Sequence, residues 1–133
     1  MIGVVVATHG KLAEEMIRTA EAVVGPLERV VPLSVVATSP DLRGDLKSAI
    51  GRVDQGDGVL LLTDLLGGSP TNLCVSFLAE RQVEVVTGVN LPMLIKLHGL
   101  RQSGKPVVQV ARELVEAGQR SIGHLSDSLR SLG

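Results

Sequence analysis

GVLLLTDLLGGSPTN, residues 58–72, is the stretch that decides the fold. Its first part, 58–63, is a continuous apolar run, which is typical of a strand buried on both faces of a sheet. Glycine and polar residues follow, and Ser69-Pro70 then predicts a helix start, because Ser is a good N-cap and Pro suits the first turn. A strand, a glycine-rich turn and a helix in this order indicate one unit of a parallel α/β sheet.

The rest of the chain repeats this alternation. Further strands are predicted at 2–7, within 29–36 and at 83–87, with a short last strand at 121–125. Helices are predicted at 11–24, from Ser39-Pro40 to about 53, from 70 or 71 to about 79, from 92 to about 100, and at 107–117. The pattern predicts a doubly wound α/β fold with helices on both faces of a parallel sheet. The length of 133 residues favours a single domain, residues 1–133.

The composition argues against several classes of function. Thirteen Lys and Arg balance fourteen Asp and Glu, so no basic surface for nucleic acid is expected. With Phe77 as the one aromatic residue, stacking on bases or sugar rings is not expected either. The single cysteine fits a reducing compartment, and Met1 leads straight into an apolar strand without a signal-peptide pattern. We therefore expect a cytoplasmic protein without a membrane span.

Polar side chains collect at the predicted strand ends: His9, Asp64, Ser69 and Asn90. In a doubly wound sheet, ligands bind beyond the carboxyl ends of the strands, where the strand order reverses. A neutral imidazole keeps a lone pair on one ring nitrogen, so His9 is a candidate nucleophile. Asp64 is the candidate partner of its other nitrogen. Taken alone, His9 is better explained as a solvated loop residue; the placement of Asp64 favours the reactive interpretation.

Gly67, Gly68 and Ser69 form a predicted anion site. The glycines allow the backbone to approach a ligand, and the following helix directs free N–H groups towards it. The same pattern also describes an ordinary glycine-rich turn with a Ser cap. The chain has no G-x-x-x-x-G-K-[ST] loop and no G-x-G-x-x-G after its first strand, which argues against a bound nucleotide. Its histidines and cysteine lack zinc-type spacing, so neither a metal nor a cofactor is predicted.

Three stretches carry a resemblance to a known family: IGVVVATHGKLAEEM (2–16), GVLLLTDLLGGSPTN (58–72) and VVTGVNLPML (85–94). In this order and spacing, they resemble the mannose-family EIIA domain of the bacterial phosphoenolpyruvate-dependent sugar phosphotransferase system (PTS). The resemblance implies that His9 accepts a phosphoryl group from phospho-HPr and passes it to an EIIB component, as a phosphotransferase with a phosphohistidine intermediate. It also implies that Asp64 bonds the histidine ring.

The resemblance has further implications for the site and the assembly. Thr8, Ser69 and the Gly67-Gly68 backbone are expected to hold the phosphoryl group. Four parallel strands are expected, with a fifth, antiparallel strand near the C-terminus exchanged between the subunits of a homodimer; we place it at 121–125. Because the chain stops at Gly133, EIIB is expected to be a separate polypeptide. Contact with the membrane is expected only indirectly, through the sugar permease complex.

A docking patch for these partners is predicted on the rim of the crevice, where exposed apolar side chains suit transient contacts. Its members are Leu65, Leu66, Leu91, Pro92 and Met93.

Three alternatives remain open from the residues. The protein could report phosphorylation state to a partner through the same His9 chemistry, or serve as a dihydroxyacetone-kinase phosphotransfer subunit, a related domain that shares the first-strand histidine. A third alternative is a receiver-like module phosphorylated on Asp64. Against it, such a module needs an acidic pair after the first strand to hold Mg²⁺, and this chain has Thr8-His9 there.

Overall fold

The computed structural model describes residues 1–65, 67–79 and 82–132. Its strands β1 (Gly3–His9), β2 (Val30–Val35), β3 (Val59–Thr63) and β4 (Val83–Val86) form one parallel sheet in the order β2-β1-β3-β4. Its helices are α1 (Leu12–Val24), α2 (Leu42–Val53), α3 (Ser69–Val75), α4 (Leu91–Arg101), α5 (Val107–Arg120) and α6 (Leu125–Arg130). The predicted four-stranded, doubly wound sheet is confirmed.

Helices cover both faces of the sheet. Successive side chains of a strand point to opposite faces, and in β1 this places Val4 and Val6 in a core shared with α1, α4 and α5. Val5 and Ala7 belong to a second core, which is shared with α2 and α3. Both cores are almost entirely aliphatic, so β1 and β3 are buried on both sides, as their continuous apolar runs predict.

The order of the strands defines a switch point between β1 and β3. From β1 the chain first adds β2 on one side, and later adds β3 and β4 on the other. Ala7 of β1 pairs with Thr63 of β3, so the residues that follow these two positions emerge together at the carboxyl edge of the sheet. This edge is where doubly wound proteins bind their ligands.

Two helix starts differ from the prediction. Asp41, rather than Ser39, is the N-cap of α2, because its carboxylate reaches the Gly44 amide, which donates to it at 2.9 Å. Gly68, rather than Ser69, is the N-cap of α3: its extended backbone leaves Ser69 as the first helical residue. Helix α3 also ends at Val75, before a run of tighter turns, instead of continuing to about residue 79.

The C-terminal segment differs most. Residues 121–125 do not form a strand within the single chain: Ser121 is the C-cap of α5, and Leu125 begins α6. A strand needs a neighbour to accept and donate its backbone hydrogen bonds, and the four-stranded sheet of the described residues does not include this segment. Exchange with a second subunit therefore stays a prediction. Over the ranges that the structure describes, no helix is long and apolar enough to cross a membrane.

Candidate active site

His9 and Asp64 lie together at the switch point. His9 is the last residue of β1, and Asp64 directly follows β3. Nδ1 of His9 is 2.9 Å from Oδ2 of Asp64, and the same oxygen accepts a hydrogen bond from the His9 backbone N–H at 3.1 Å. Oδ1 of Asp64 accepts from the Leu65 N–H at 2.9 Å. One carboxylate therefore holds both the ring and the main chain of the histidine.

This contact sets the tautomer of His9 and lowers the pKa of Asp64. Partial burial by itself would raise the pKa of Asp64, but the hydrogen bonds from the His9 ring and amide, together with the charge of His9, outweigh burial and lower that pKa. An ionised carboxylate can only accept hydrogen bonds, so Nδ1 of His9 carries the proton. Nε2 then keeps the lone pair. The His9 side chain is 49% exposed and that of Asp64 11%, so the histidine is open to solvent and the carboxylate is largely shielded from it.

The glycine-rich turn lies against the histidine ring. A methyl group added at Gly68 would stand 3.0 Å from Cε1 and 3.6 Å from Nε2 of His9, so it would crowd the ring. Gly67 has a φ of 82°, in the left-handed region that favours glycine. Ser69, next in the chain, is exposed. The structure thus places the glycine-rich turn next to the ring of His9.

Thr8 is placed differently from the other residues of the predicted site. Its side chain is fully buried, and Oγ1 accepts a hydrogen bond from the Ala13 N–H at 2.8 Å and donates one to the His9 carbonyl at 3.2 Å. The hydroxyl is therefore directed at the backbone around His9.

Two threonines missing from the sequence-based site support the loop that carries Asp64. Thr63 and Thr71 are buried, and their hydroxyl oxygens are 2.6 Å apart. Thr71 also donates to the Leu65 carbonyl. A polar residue at the end of an apolar strand is a signal for Thr63, but its pairing with Thr71 depends on how α3 packs and is not visible in the sequence.

Asn90 has a structural role, although it also follows a strand. Its side-chain oxygen accepts from the Met93 N–H at 3.2 Å, which makes Asn90 the N-cap of α4. Its amide nitrogen donates to the Gly118 carbonyl at 3.3 Å and to Ser121 at 3.4 Å. Asn90 thus joins α4 to the end of α5.

The predicted docking patch is only partly exposed. Leu65 is 58% exposed and Pro92 is exposed, whereas Leu91 is half-buried against the core. Met93 is not available to a partner, because its side chain is 98% buried between α4 and α5 (2% exposed). Leu66 lies outside the described residues.

Two further apolar side chains are exposed at the same edge of the sheet. Leu12, the first residue of α1, is 46% exposed, and Val36 is 41% exposed. Val36 follows Val35, the residue that pairs with His9 in the sheet. With Leu65, these residues form what we call the apolar rim (Leu12, Val36 and Leu65). Neither Leu12 nor Val36 could be told from core residues by periodicity.

Across the described ranges, no group of three or more His, Cys, Asp or Glu is placed to hold a metal ion.

Fold and site together define a class of protein: a doubly wound α/β domain that presents a carboxylate-oriented histidine at the carboxyl edge of its sheet. Residues 3–114 match the family model described as the PTS system fructose IIA component. The chain therefore belongs to the EIIA family of the mannose and fructose type.

Individual relatives agree with this assignment. The chain is 31% identical over 124 residues to the mannose-specific EIIAB component of Escherichia coli K12, a match that covers 91% of this chain and 38% of that protein. It is 30% identical over 105 residues to the fructose-specific EIIA component of Bacillus subtilis, covering 77% and 72% of the two chains. The chain thus spans well under half the length of the E. coli relative.

Solved structures share the fold over nearly the whole chain. The PTS IIA protein associated with the fucose utilization operon of Streptococcus pneumoniae superposes with a TM-score of 0.83 at 32% identity, covering 96% of this chain and 95% of that one. Component EIIA from Streptococcus agalactiae superposes with a TM-score of 0.86 at 25% identity, covering 96% and 99%.

Proposed function

We propose that the protein is a phosphocarrier of the PTS, in which His9 accepts a phosphoryl group from phospho-HPr and transfers it to an EIIB component. The observation that carries this proposal is the 2.9 Å contact between Nδ1 of His9 and Oδ2 of Asp64, which leaves Nε2 as the nucleophile on a side chain that is 49% exposed. Membership of the EIIA family supports the same assignment.

The transfer is an in-line exchange between two histidines. The Nε2 lone pair of His9 forms a bond to phosphorus while the nitrogen–phosphorus bond of the donor breaks, and that electron pair returns to the donor ring. His9 keeps its Nδ1 proton throughout, so its ring gains positive charge as the new bond forms. Asp64 offsets this charge and fixes the ring orientation. Transfer to EIIB is the same step in the opposite direction.

Donors for the phosphoryl oxygens come from the glycine-rich turn. Gly68 lies beside the Cε1–Nε2 edge of the His9 ring, and Gly67 and the exposed Ser69 are its neighbours in the chain. Such groups act as preorganised donors towards the equatorial oxygens, which carry most of the charge during phosphoryl transfer.

The apolar rim is the surface that we assign to partner docking. Leu12, Val36 and Leu65 stand around the carboxyl edge where His9 is exposed, and apolar contacts of this size suit a carrier that must release each partner after transfer. We assign HPr and EIIB to this surface in turn, and we place the exchange in the cytoplasm, where phosphoenolpyruvate supplies the phosphoryl group.

The geometry and the family match bear on the three alternative functions. A receiver-like module would need Asp64 as phosphoryl acceptor, but both of its carboxylate oxygens accept hydrogen bonds and its side chain is 11% exposed. The family match favours the sugar-system branch over a dihydroxyacetone-kinase subunit. A regulatory role would use the same His9 chemistry, and the transfer step to EIIB separates it from transport.

The proposal is tested by the intact mass of the protein after incubation with phosphoenolpyruvate, Enzyme I and HPr. We expect one added phosphate that is labile in acid, stable in alkali and absent from His9→Ala. A matched control, His98→Ala, removes an exposed histidine of α4 and should be phosphorylated like the wild type. An unmodified wild type beside phosphorylated HPr would contradict the proposal. Loss of the phosphate on adding EIIB would distinguish a carrier from a regulator that only retains it.

A further inference from the structure

Hydroxyl groups from two neighbouring strands hold the turn that follows His9. Thr8 of β1 and Ser34 of β2 are paired in register in the sheet. The Thr8 hydroxyl donates to the His9 carbonyl at 3.2 Å, and the Ser34 hydroxyl donates to the carbonyl of Gly10. Two successive carbonyls at the end of β1 are thus bound by side chains from the sheet itself.

Thr8 also fastens the helix that follows. Its Oγ1 accepts from the Ala13 N–H at 2.8 Å, in the first turn of α1, whereas the N-cap residue Lys11 makes no side-chain hydrogen bond to the helix. Gly10, between them, has a φ of 53°, which lets the chain turn sharply. A single buried hydroxyl therefore connects the end of β1 to the start of α1 across the histidine.

His9 is consequently held at each of its polar backbone groups. Asp64 accepts from its N–H, Thr8 donates to its carbonyl, and Ser34 binds the next carbonyl along the chain. The ring contact to Asp64 depends on this backbone position, because ring and amide share one carboxylate oxygen. A shift of the turn would move the ring away from Asp64 or from the backbone at Gly68.

We propose that Thr8 and Ser34 form a hydroxyl clamp that positions the His9 ring for phosphoryl transfer through its backbone, without contact to the phosphoryl group. This inference rests on the proposed function and adds two positioning residues to it. For Thr8 it replaces the phosphoryl-binding role implied by the family resemblance, since both hydrogen-bonding directions of its buried hydroxyl are directed at the backbone.

The rate test uses isosteric and conservative variants. Thr8→Val removes the hydroxyl and keeps the shape, and we expect phosphorylation of His9 at saturating phospho-HPr to slow by about 10-fold or more, since small misplacements of reacting groups are costly. The KM for phospho-HPr should not change, because the docking surface is untouched. Thr8→Ser restores the hydroxyl and should restore the rate. Ser34→Ala should slow the reaction in the same direction.

Two controls separate positioning from loss of stability. Val53→Ala creates a cavity in the core beneath α2, away from the turn, and should lower stability without lowering the rate. Ser103→Ala removes a hydroxyl that donates to the Leu100 carbonyl at 2.6 Å, at the C-terminal end of α4. This variant matches Ser34→Ala in chemistry. If Thr8→Val slows the reaction no more than Val53→Ala does, or if Thr8→Ser fails to restore the rate, the clamp is overturned.

A spectroscopic test is independent of phosphorylation. In the unphosphorylated protein, the ¹⁵N signals of the His9 ring report the Nδ1 contact with Asp64. We expect Thr8→Val and Ser34→Ala to move these signals, and Ser103→Ala to leave them in place. Unmoved ring signals in both clamp variants would overturn the positioning role and leave direct contact with the phosphoryl group as the explanation of a slow Thr8→Val. If the wild type takes no phosphate, the proposed function fails, and the ring signals still decide whether the clamp orients His9.

Discussion

Among single residues, Asp64 contacts both the ring and the backbone amide of His9. Its Oδ2 binds both the amide and the ring nitrogen of the histidine, so orientation and charge are supplied by one atom. The pairing of β1 with β3 already brings the two side chains together at the carboxyl edge of the sheet. The lowered pKa of Asp64 shows that the folded state favours its charged form.

Replacing Asp64 by Asn should therefore preserve the fold and slow the chemistry. Without the negative charge, nothing offsets the positive ring that forms as Nε2 binds phosphorus, and we expect the phosphorylation rate to fall by about 100-fold or more. The measurement is quenched-flow transfer from phospho-HPr with Asp45→Asn, an exposed carboxylate of α2, as the control. An Asp64→Asn protein that reacts as fast as the control would remove Asp64 from the mechanism.

The same substitution changes how stability depends on pH. Because the folded pKa of Asp64 lies below the ordinary value of 3.8, the unfolded chain binds this proton first as the pH falls. The stabilisation is fully present above pH 3.8 and is lost as the pH falls through the lowered value. Urea midpoints below pH 4 should consequently fall more steeply for the wild type than for Asp64→Asn; parallel curves would contradict the assignment.

Between helices and strands, close packing at glycine decides how β1 meets α2. A methyl group at Gly3 would stand 2.4 Å from the Val53 carbonyl oxygen, which belongs to the backbone and cannot move aside. Gly3 thus lets the strand that carries His9 pack against the end of α2. Gly51, in the same helix, has nothing within 4 Å of the equivalent position and is exposed.

These two glycines give opposite predictions for the same substitution. Gly3→Ala should destabilise the protein by about 1–3 kcal/mol or more through overpacking. Gly51→Ala should stabilise it by about 0.5–1 kcal/mol, because alanine has the higher helix propensity. Urea denaturation at pH 7 measures both. A Gly3→Ala protein as stable as the wild type would show that the contact between β1 and α2 does not have this role.

In the molecule as a whole, the C-terminal segment leaves a row of apolar side chains uncovered in the single chain. Ile122, Leu125, Leu129 and Leu132 recur every three or four residues and are 58–84% exposed. Strand β4, at the sheet edge, is flanked by further exposed apolar residues, Val75, Leu78 and Val115. An apolar segment and an apolar edge on the same chain fit the homodimer predicted from the family resemblance, in which each subunit would cover the edge of the other.

The dimer is tested by charge in this segment. Leu125→Asp and Leu129→Asp should convert a dimer into a monomer in sedimentation equilibrium, because each places a carboxylate in the covered surface. Ser131→Asp adds the same charge off the apolar stripe and should remain dimeric. A wild type that sediments as a monomer at all concentrations would contradict the proposed exchange.

The amino-acid sequence by itself determined the sheet and the main pair of the site. Continuous apolar runs marked β1 and β3 because burial on both faces leaves no alternation, and the switch-point rule then placed His9 beside Asp64. The turn at glycines 67 and 68 was also predictable, because a turn at the end of a strand is a local feature of the chain.

Only the tertiary structure decided where individual side chains point. The Thr8 hydroxyl faces the backbone, and Met93 is buried. Each of these outcomes depends on which groups surround the side chain once the chain has folded. The Ser34 hydroxyl, for example, donates to the Gly10 carbonyl, 24 positions away in the sequence. Whether residues 121–125 form a strand depends on a hydrogen-bonding neighbour outside the segment. Periodicity reports which face of an element is buried, whereas the partner of a hydroxyl or a strand edge is set by the assembled fold.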